Sequence, residues 1–234
     1  MRIAVPMLED TPAALLRQAQ AIAAHPGADM AEWRADALGS ALTAEAVNAL
    51  MPELLRALAG KPLIFTLRTE GGAARADYAQ LLLTAARCGA PWLDVEALRC
   101  PDAAGLIAGL HALGCRVIAS HHDFQATPAL SELLDRAETL RQSGAEIIKL
   151  AVTARDQADI QTACALCQCL RAQGLDYAVI PMGEAGRAGR AGRAGRLQAQ
   201  RWGCALTFCH LGKASAPGQV TVEEMLHAAR QSRV

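Results

Sequence analysis

One lysine of this chain stands where a lysine is costly. Lys149 lies within Ala145-Glu146-Ile147-Ile148-Lys149-Leu150-Ala151-Val152, which reads as a short buried strand. An unpaired charge there is strongly disfavoured. Burial lowers the pKa of an amine, because it penalises the charged form. A neutral amine can attack a carbonyl and form a Schiff base. The plainer reading is a lysine at a strand end whose ammonium snorkels to water.

Other polar residues fall at the ends of apolar runs. Glu32 and Arg34, in Glu32-Trp33-Arg34-Ala35-Asp36, alternate onto one face, as a pair serving a site or as a structural ion pair. Arg68 and Glu70 sit where a strand gives way to a loop, and Gly71-Gly72 allow close backbone approach. Asp94 and Glu96 again share a face. Ser120-His121-His122-Asp123-Phe124 places two histidines on opposite faces, so one of them faces the centre. A lone histidine is often a satisfied core residue. One beside an aspartate, facing a lysine from the next strand, points to proton transfer. Ser215 and Gln219, in Ser215-Ala216-Pro217-Gly218-Gln219, offer hydrogen bonds to a small polar ligand. Glu32, Asp94, Glu96 and His122 are metal-ligand types, but the neighbouring lysine and arginines disfavour a cation. There is no G-x-S-x-G elbow, P-loop or dinucleotide fingerprint. The chemistry that fits is Schiff-base formation on the ketone of a small anion, with histidine moving protons.

These residues need strands that converge. Strand-like runs are Ile3–Pro6, Asp29–Arg34, Pro62–Leu67, Trp92–Val95, Arg116–Ser120, Ile147–Ala151, Tyr177–Pro181 and Ala205–Phe208. Between them lie helix-like runs over 12–25, 43–59, 74–88, 102–113, 127–143 and 155–173, a short one over Leu197–Arg201, and a last one opening at Thr221-Val222-Glu223-Glu224, which has capping-box spacing. Thr11-Pro12 and Thr127-Pro128 read as helix starts. Eight such units, roughly 25 to 30 residues apart, predict an α/β protein, a single-domain (β/α)8 TIM barrel over residues 1–234 with little or no N-terminal extension before the first strand. A doubly wound open sheet is the alternative, but the first turn, Pro6-Met7-Leu8-Glu9-Asp10, lacks glycine. Ala185–Arg196 repeats Ala-Gly-Arg four times and reads as a mobile basic loop, either solvated or an anion-binding lid.

Composition excludes other classes. At 234 residues and 52% hydrophobic the chain can bury a large core. Lys+Arg and Asp+Glu are equal at 23, and aromatics make up 3%, so nothing favours a nucleic-acid or membrane-surface partner. No secretory leader or membrane span is visible. Eight cysteines in a chain this long fit a reducing cytoplasm. Cys164, Cys167 and Cys169 fall inside a helical run and read as buried thiols rather than a metal cluster.

Taken together, Glu32-Trp33-Arg34-Ala35-Asp36, Phe65-Thr66-Leu67-Arg68, Glu70-Gly71-Gly72, Asp94-Val95-Glu96, Ser120-His121-His122-Asp123-Phe124, Ile148-Lys149-Leu150-Ala151-Val152, Met182-Gly183 and Ser215-Ala216-Pro217-Gly218-Gln219 resemble the type I 3-dehydroquinate dehydratases, Schiff-base barrel lyases of the shikimate pathway. Their order and spacing, more than any one motif, carry the resemblance. It implies that Lys149 forms an imine with the C3 ketone of 3-dehydroquinate, that His122 is the general acid/base, and that Glu70 orients His122. It implies that Glu32, Arg34 and Arg68 order the substrate's hydroxyls, that Ser215 and Gln219 come from a closing loop, and that an arginine after the seventh strand clamps the carboxylate. No cofactor or metal is implied; the partner is the small-molecule substrate, and a homodimer is expected.

The chain departs from the family pattern in three places. The clamp is Arg190 counted forward from Met182-Gly183, or Arg196 counted back from Trp202-Gly203, because the repeat has added residues between the anchors; Arg196 is preferred, since Arg196-Leu197 opens the short helix and an insertion sits more easily in the loop before it. Little precedes the first strand, so the barrel floor is expected to be open or covered by a partner. Pro6-Met7 replaces a small polar residue. Competing readings are a class I aldolase on a sugar phosphate and a non-catalytic barrel that binds a small acid.

Overall fold

The structure is a computed structural model describing residues 1–69, 76–183, 186–216 and 218–231, with the backbone alone at 186–188. Eight strands alternate with helices: β1 (Arg2–Met7), α1 (Pro12–Ala24), β2 (Met30–Arg34), α2 (Ala44–Ala57), β3 (Leu63–Thr66), α3 (Tyr78–Arg87), β4 (Trp92–Val95), α4 (Ala103–Ala112), β5 (Arg116–Asp123), α5 (Leu130–Gln142), β6 (Ile147–Thr153), α6 (Gln157–Ala172), β7 (Tyr177–Met182), α7 (Gly186–Leu197), β8 (Leu206–Phe208) and α8 (Val222–Gln231). A 3-10 stretch, Ala35–Ala41, follows β2. The strands pair in parallel in the order β7-β6-β5-β4-β3-β2-β1-β8. The Ala205 N–H donates to the Tyr177 carbonyl at 2.8 Å and brings the ends of the sheet together. Sequential order without a switch point makes this a (β/α)8 barrel rather than an open doubly wound sheet.

Most local signals act as their chemistry dictates, but Thr127-Pro128 does not open α5, which starts at Leu130 after Ala129, and the Thr127 hydroxyl donates to the Thr153 carbonyl instead. Thr43 accepts from the Ala46 N–H, and Asp156 from those of Ala158 and Asp159. Thr221 and Glu224 form both halves of a capping box. Thr11 is extended before Pro12 but its side chain makes no capping bond, so there the proline's fixed φ starts the helix. At the other end of α1, the Lys61 ammonium donates to the carbonyls of Ile22, His25 and Ala28 at 2.6–2.9 Å, satisfying groups the helix leaves open.

The barrel interior is layered. Met30, Ile64, Trp92, Ile118 and Ile147 pack at the bottom. Trp92 is 5% exposed, and the guanidinium carbons of Arg2 and Arg116 lie 5.0 and 5.5 Å from its ring centre. At the floor, expected to be open or covered by a partner, this ring is instead covered by two cations of the same chain. Outside, the alternate strand residues pack on the helices in two apolar clusters.

The basic repeat departs most from expectation. Its residues from Gly186 onward form α7, and Leu197–Arg201, expected to be helical, is mostly turn. Glycine costs about 1 kcal/mol per residue in a helix relative to alanine, so packing must hold α7 in place. It does so through the glycines. A Cβ at Gly192 would lie 2.7 Å from the Gly183 nitrogen and the Met182 carbonyl carbon, and one at Gly195 2.8 Å from Ile160 and Pro181. Arg193 pairs with Glu224 of α8. Cys164, Cys167 and Cys169 do lie on α6, but only Cys167 is fully buried.

Gly192→Ala is expected to destabilise the protein by about 1–3 kcal/mol, because the neighbours it would strike are backbone atoms. At this size that lowers the melting temperature by roughly 2–12 °C, which thermal denaturation checks. An unchanged melting temperature would mean that α7 does not rest on β7 through this glycine.

Candidate active site

Alternate residues of the strands put charge in the middle of the barrel. From β4, Asp94 lies at the centre of the network. Its two oxygens receive Arg68 Nη1 and Nη2 at 2.8 and 2.7 Å, Lys149 Nζ at 2.9 Å and Ser120 Oγ at 2.5 Å. Glu32, on β2, accepts from Thr66 Oγ1 at 2.9 Å and stands 3.8 Å from Lys149 and 4.0 Å from Arg68. Lys149 is 3% exposed and third of seven residues in β6, so it neither ends its strand nor snorkels to water. Its ammonium also lies 4.1 Å from the ring centre of Phe208.

Electrostatics divides these groups. Burial lowers the pKa of Lys149, the charge of Arg68 lowers it further, and Asp94 and Glu32 oppose both. Asp94 would be raised by burial, but Arg68 and Lys149 hold it well below the usual carboxylate range. His122 is held well below the ordinary imidazole value, first by burial and then by Arg68 and Lys149. Arg196 is 3% exposed, and burial pushes it down to about 10.

A cavity of about 260 Å³ opens above this network at the C-terminal ends of the strands. Glu32, Arg34, Arg68, His122 and Lys149 line one side; Arg196, Ser215 and Gln219 approach from α7 and the loop after β8. Ile180, Met182 and Phe208 supply an apolar wall, and Phe124, 46% exposed, stands at the mouth. Arg190 is exposed and does not line the cavity. Gln219 Oε1 receives the Ser215 N–H and Oγ at 2.6 and 3.0 Å. A Cβ at Gly218 would lie 3.3 Å from the Arg193 nitrogen, so this loop rests on the α7 backbone.

Some sequence expectations need correction. Glu32 and Arg34 share the cavity face but do not pair; Arg34 makes a two-pronged bond to Asp36 at 2.9 and 2.7 Å, because the 3-10 turn folds Asp36 back beneath it. Glu70 lies outside the described residues. His122 faces the interior, whereas His121 receives Arg136 Nη1 at 2.9 Å outside the barrel. Asp94 and Glu96 were recognisable only as carboxylates on one face, and Ser120 only as a neighbour of the histidines. Phe208 gave no signal, since its value lies in facing Lys149 across the barrel. Among the described residues no cluster of His, Cys, Asp or Glu has metal-holding geometry, and no helix is long and apolar enough to cross a membrane.

A (β/α)8 barrel with a buried, ion-paired lysine and a histidine beneath an open cavity defines a class of protein, the Schiff-base barrel enzymes. Comparison with known proteins gives the family. Residues 3–234 match the type I 3-dehydroquinase family. The chain is 32% identical over 237 aligned residues to the 3-dehydroquinate dehydratase of Klebsiella pneumoniae, covering 95% of this chain and 90% of that one. It superposes on the 3-dehydroquinate dehydratase of Geobacillus kaustophilus with a TM-score of 0.90 at 24% identity, covering 99% of this chain and 91% of that one, a likeness of fold. It also matches the type I enzyme of Clostridium difficile, solved with covalently modified comenic acid, at 26% identity and a TM-score of 0.85, covering 98% and 91%. The chain belongs to the type I 3-dehydroquinase family.

Asp94→Asn is expected to cost about 3–5 kcal/mol, since Arg68 would keep a buried charge without its counter-ion. The sign with pH follows from the lowered folded pKa of Asp94. Its contribution is complete above the unfolded value near pH 4 and falls by about 1.4 kcal/mol per pH unit below that. Urea unfolding at several pH values between 3 and 6 checks both; an Asp94→Asn protein with the same acid slope as wild type would exclude Asp94 as its source.

Proposed function

We propose that this chain is a carbon–oxygen hydro-lyase that dehydrates 3-dehydroquinate to 3-dehydroshikimate through an imine on Lys149. The observation that carries the mechanism is the buried Lys149 ammonium at the base of the cavity, 2.9 Å from Asp94. The chain has three lysines. Lys61 is tied to three carbonyls and Lys213 is exposed, so Lys149 alone combines burial with a cavity.

In its neutral form Lys149 adds to the C3 carbonyl, and the carbinolamine loses water to give the iminium. This cation is an electron sink for the charge that develops as His122 takes a proton from C2. The resulting enamine expels the C1 hydroxyl, which leaves as water with the proton His122 returns. Hydrolysis of the iminium releases the product and the amine, so the net change is loss of one water. Arg196 binds the substrate carboxylate, for which a guanidinium fork is suited. Glu32, Arg34 and Arg68 hold its hydroxyls, and Ser215 and Gln219 close over it. Glu70 is assigned the orientation of His122 on the family resemblance.

We read residues 1–234 as a single catalytic domain. The eight cysteines, all free thiols, support a cytoplasmic site of action. The homodimer rests on the family resemblance, and sedimentation velocity tests it.

Borohydride added with 3-dehydroquinate is expected to fix a ligand mass on the Lys149 peptide and not on those of Lys61 or Lys213. Absence of that adduct, with no 3-dehydroshikimate formed by folded protein, would sink the assignment. Lys149→Ala should abolish turnover yet keep ligand affinity. Arg196→Gln should raise KM roughly 10- to 100-fold, as loss of a charge-assisted bond does, while Arg190→Gln leaves it near wild type.

A further inference from the structure

Phe208 faces the reacting nitrogen from the side of the barrel opposite Asp94. It is the last residue of β8 and is buried, and Lys149 Nζ stands 4.1 Å from its ring centre. With the strands in sequential order around the barrel, β4 and β8 lie across from each other. The ammonium is therefore held between the Asp94 carboxylate, at 2.9 Å, and the face of a ring. The ring reaches this place over a small neighbour. On β7, the strand between β6 and β8, the register partner of Lys149 is Ala178, which is fully buried in the barrel interior. A larger side chain at Ala178 would stand between the ring and the ammonium.

The value of that ring rises when the amine becomes an imine. An ammonium has three N–H groups, and carboxylates serve it through hydrogen bonds, Asp94 directly and Glu32 from 3.8 Å. An iminium keeps one N–H. Its charge is spread over the nitrogen and the former carbonyl carbon, and above and below the C=N plane there is no hydrogen to donate. Asp94 can take the single N–H. The faces of the cation are served by a group with negative potential, and the face of an aromatic ring is such a group. The neutral amine before this state and the neutral enamine after it gain little from the ring. The interaction is therefore selective for the cation, which is the requirement for it to aid the reaction rather than bind every state alike.

We infer that Phe208 is a catalytic residue, whose ring face stabilises the cationic imine on Lys149 in addition to walling the cavity. This rests on the reading of Lys149 as the imine-forming amine.

The test replaces Phe208 by mono-, di- and trifluorophenylalanine, which withdraw charge from the ring face with little change of shape. The rate of borohydride labelling of Lys149, at 3-dehydroquinate below saturation, is expected to fall with each added fluorine, by roughly 3- to 30-fold over the series, and kcat/KM to fall with it. Phe65 is the control. It packs edge-on to Trp33, with ring centres 5.3 Å apart, in the apolar cluster outside the barrel. The same series there is expected to leave labelling within about twofold of wild type, as for a distant and independent site. Lys149→Ala supplies a second control. Without the amine no cation forms, so its affinity for 3-dehydroquinate is expected to be the same with and without fluorine at Phe208. Labelling that ignores the Phe208 series overturns the inference, as does a Phe65 series that reproduces it. So does an equal loss of affinity in the Lys149→Ala background, since the ring would then act through packing alone. Phe208→Leu keeps apolar bulk without a ring and is expected to label no faster than the trifluoro protein. If the fluorinated chains do not fold, Phe208→Leu labelling at the wild-type rate overturns the inference. The same labelling separates the two readings. No label on wild-type Lys149 defeats the lyase mechanism; label on wild type that is indifferent to the Phe208 series defeats the role of the ring alone.

Discussion

The bidentate bond between Arg68 and Asp94 is the constraint on which the rest of the interior depends. Desolvating a guanidinium and a carboxylate costs more than a single pair usually returns, so a buried pair persists only when its remaining valences are filled. Here Lys149 and Ser120 fill those of Asp94, and Glu32 stands near both cations. These groups come from β2, β4, β5 and β6 and from the segment just after β3. None can hold its place until the barrel has assembled, and removing any one leaves the others wrongly charged. The charges that hold the lysine in the fold therefore also set its pKa. Burial, and then Arg68, lower its pKa, while Asp94 limits how far.

The interior is also two-sided. Positions inside β2 to β6 become polar above the bottom layer, whereas those of β7 and β8 remain apolar with Ile180, Met182 and Phe208. The cation needed on that side comes from outside the sheet, as Arg196 from α7. A small acid bearing hydroxyls on one edge and ring carbons on the other matches such a cavity, and its carboxylate would be reached from the far wall. The division of labour follows from topology, because strands supply fixed groups and the helix and loop after β7 and β8 supply those that meet the ligand from above.

Much of this was legible in the sequence because barrel strands are short and covered on both faces. Polar and charged residues inside such runs, at Glu32, Asp94, Ser120 and Lys149, have few places to go but the interior. Strand ends were less legible. β5 and β6 extend to Asp123 and Thr153, since their ladder continues past the point where hydrophobicity fades. The partner of Arg34 was missed because a short 3-10 turn, which has no periodic signature, brings Asp36 beneath it. Helix α7 was missed for the opposite reason. Its glycines and arginines have the composition of a loop, and only the close approach to β7 makes them a helix.

That helix has a further property. Its repeat is three residues long and is identical from Gly186 to Arg196. Threading the chain through the same helical path with a shift of three would place Gly189 and Gly192 on the seats of Gly192 and Gly195, and Arg193 where Arg196 stands. The contacts with β7 therefore do not distinguish one register from the next. The choice is made by what is not repeated, the chain from Leu197 onward. Copy number in this tract is accordingly neutral to the packed face. Gain or loss of a unit displaces the slack toward the entrance of the helix, while the anion-facing arginine is renewed in place by the next identical triplet.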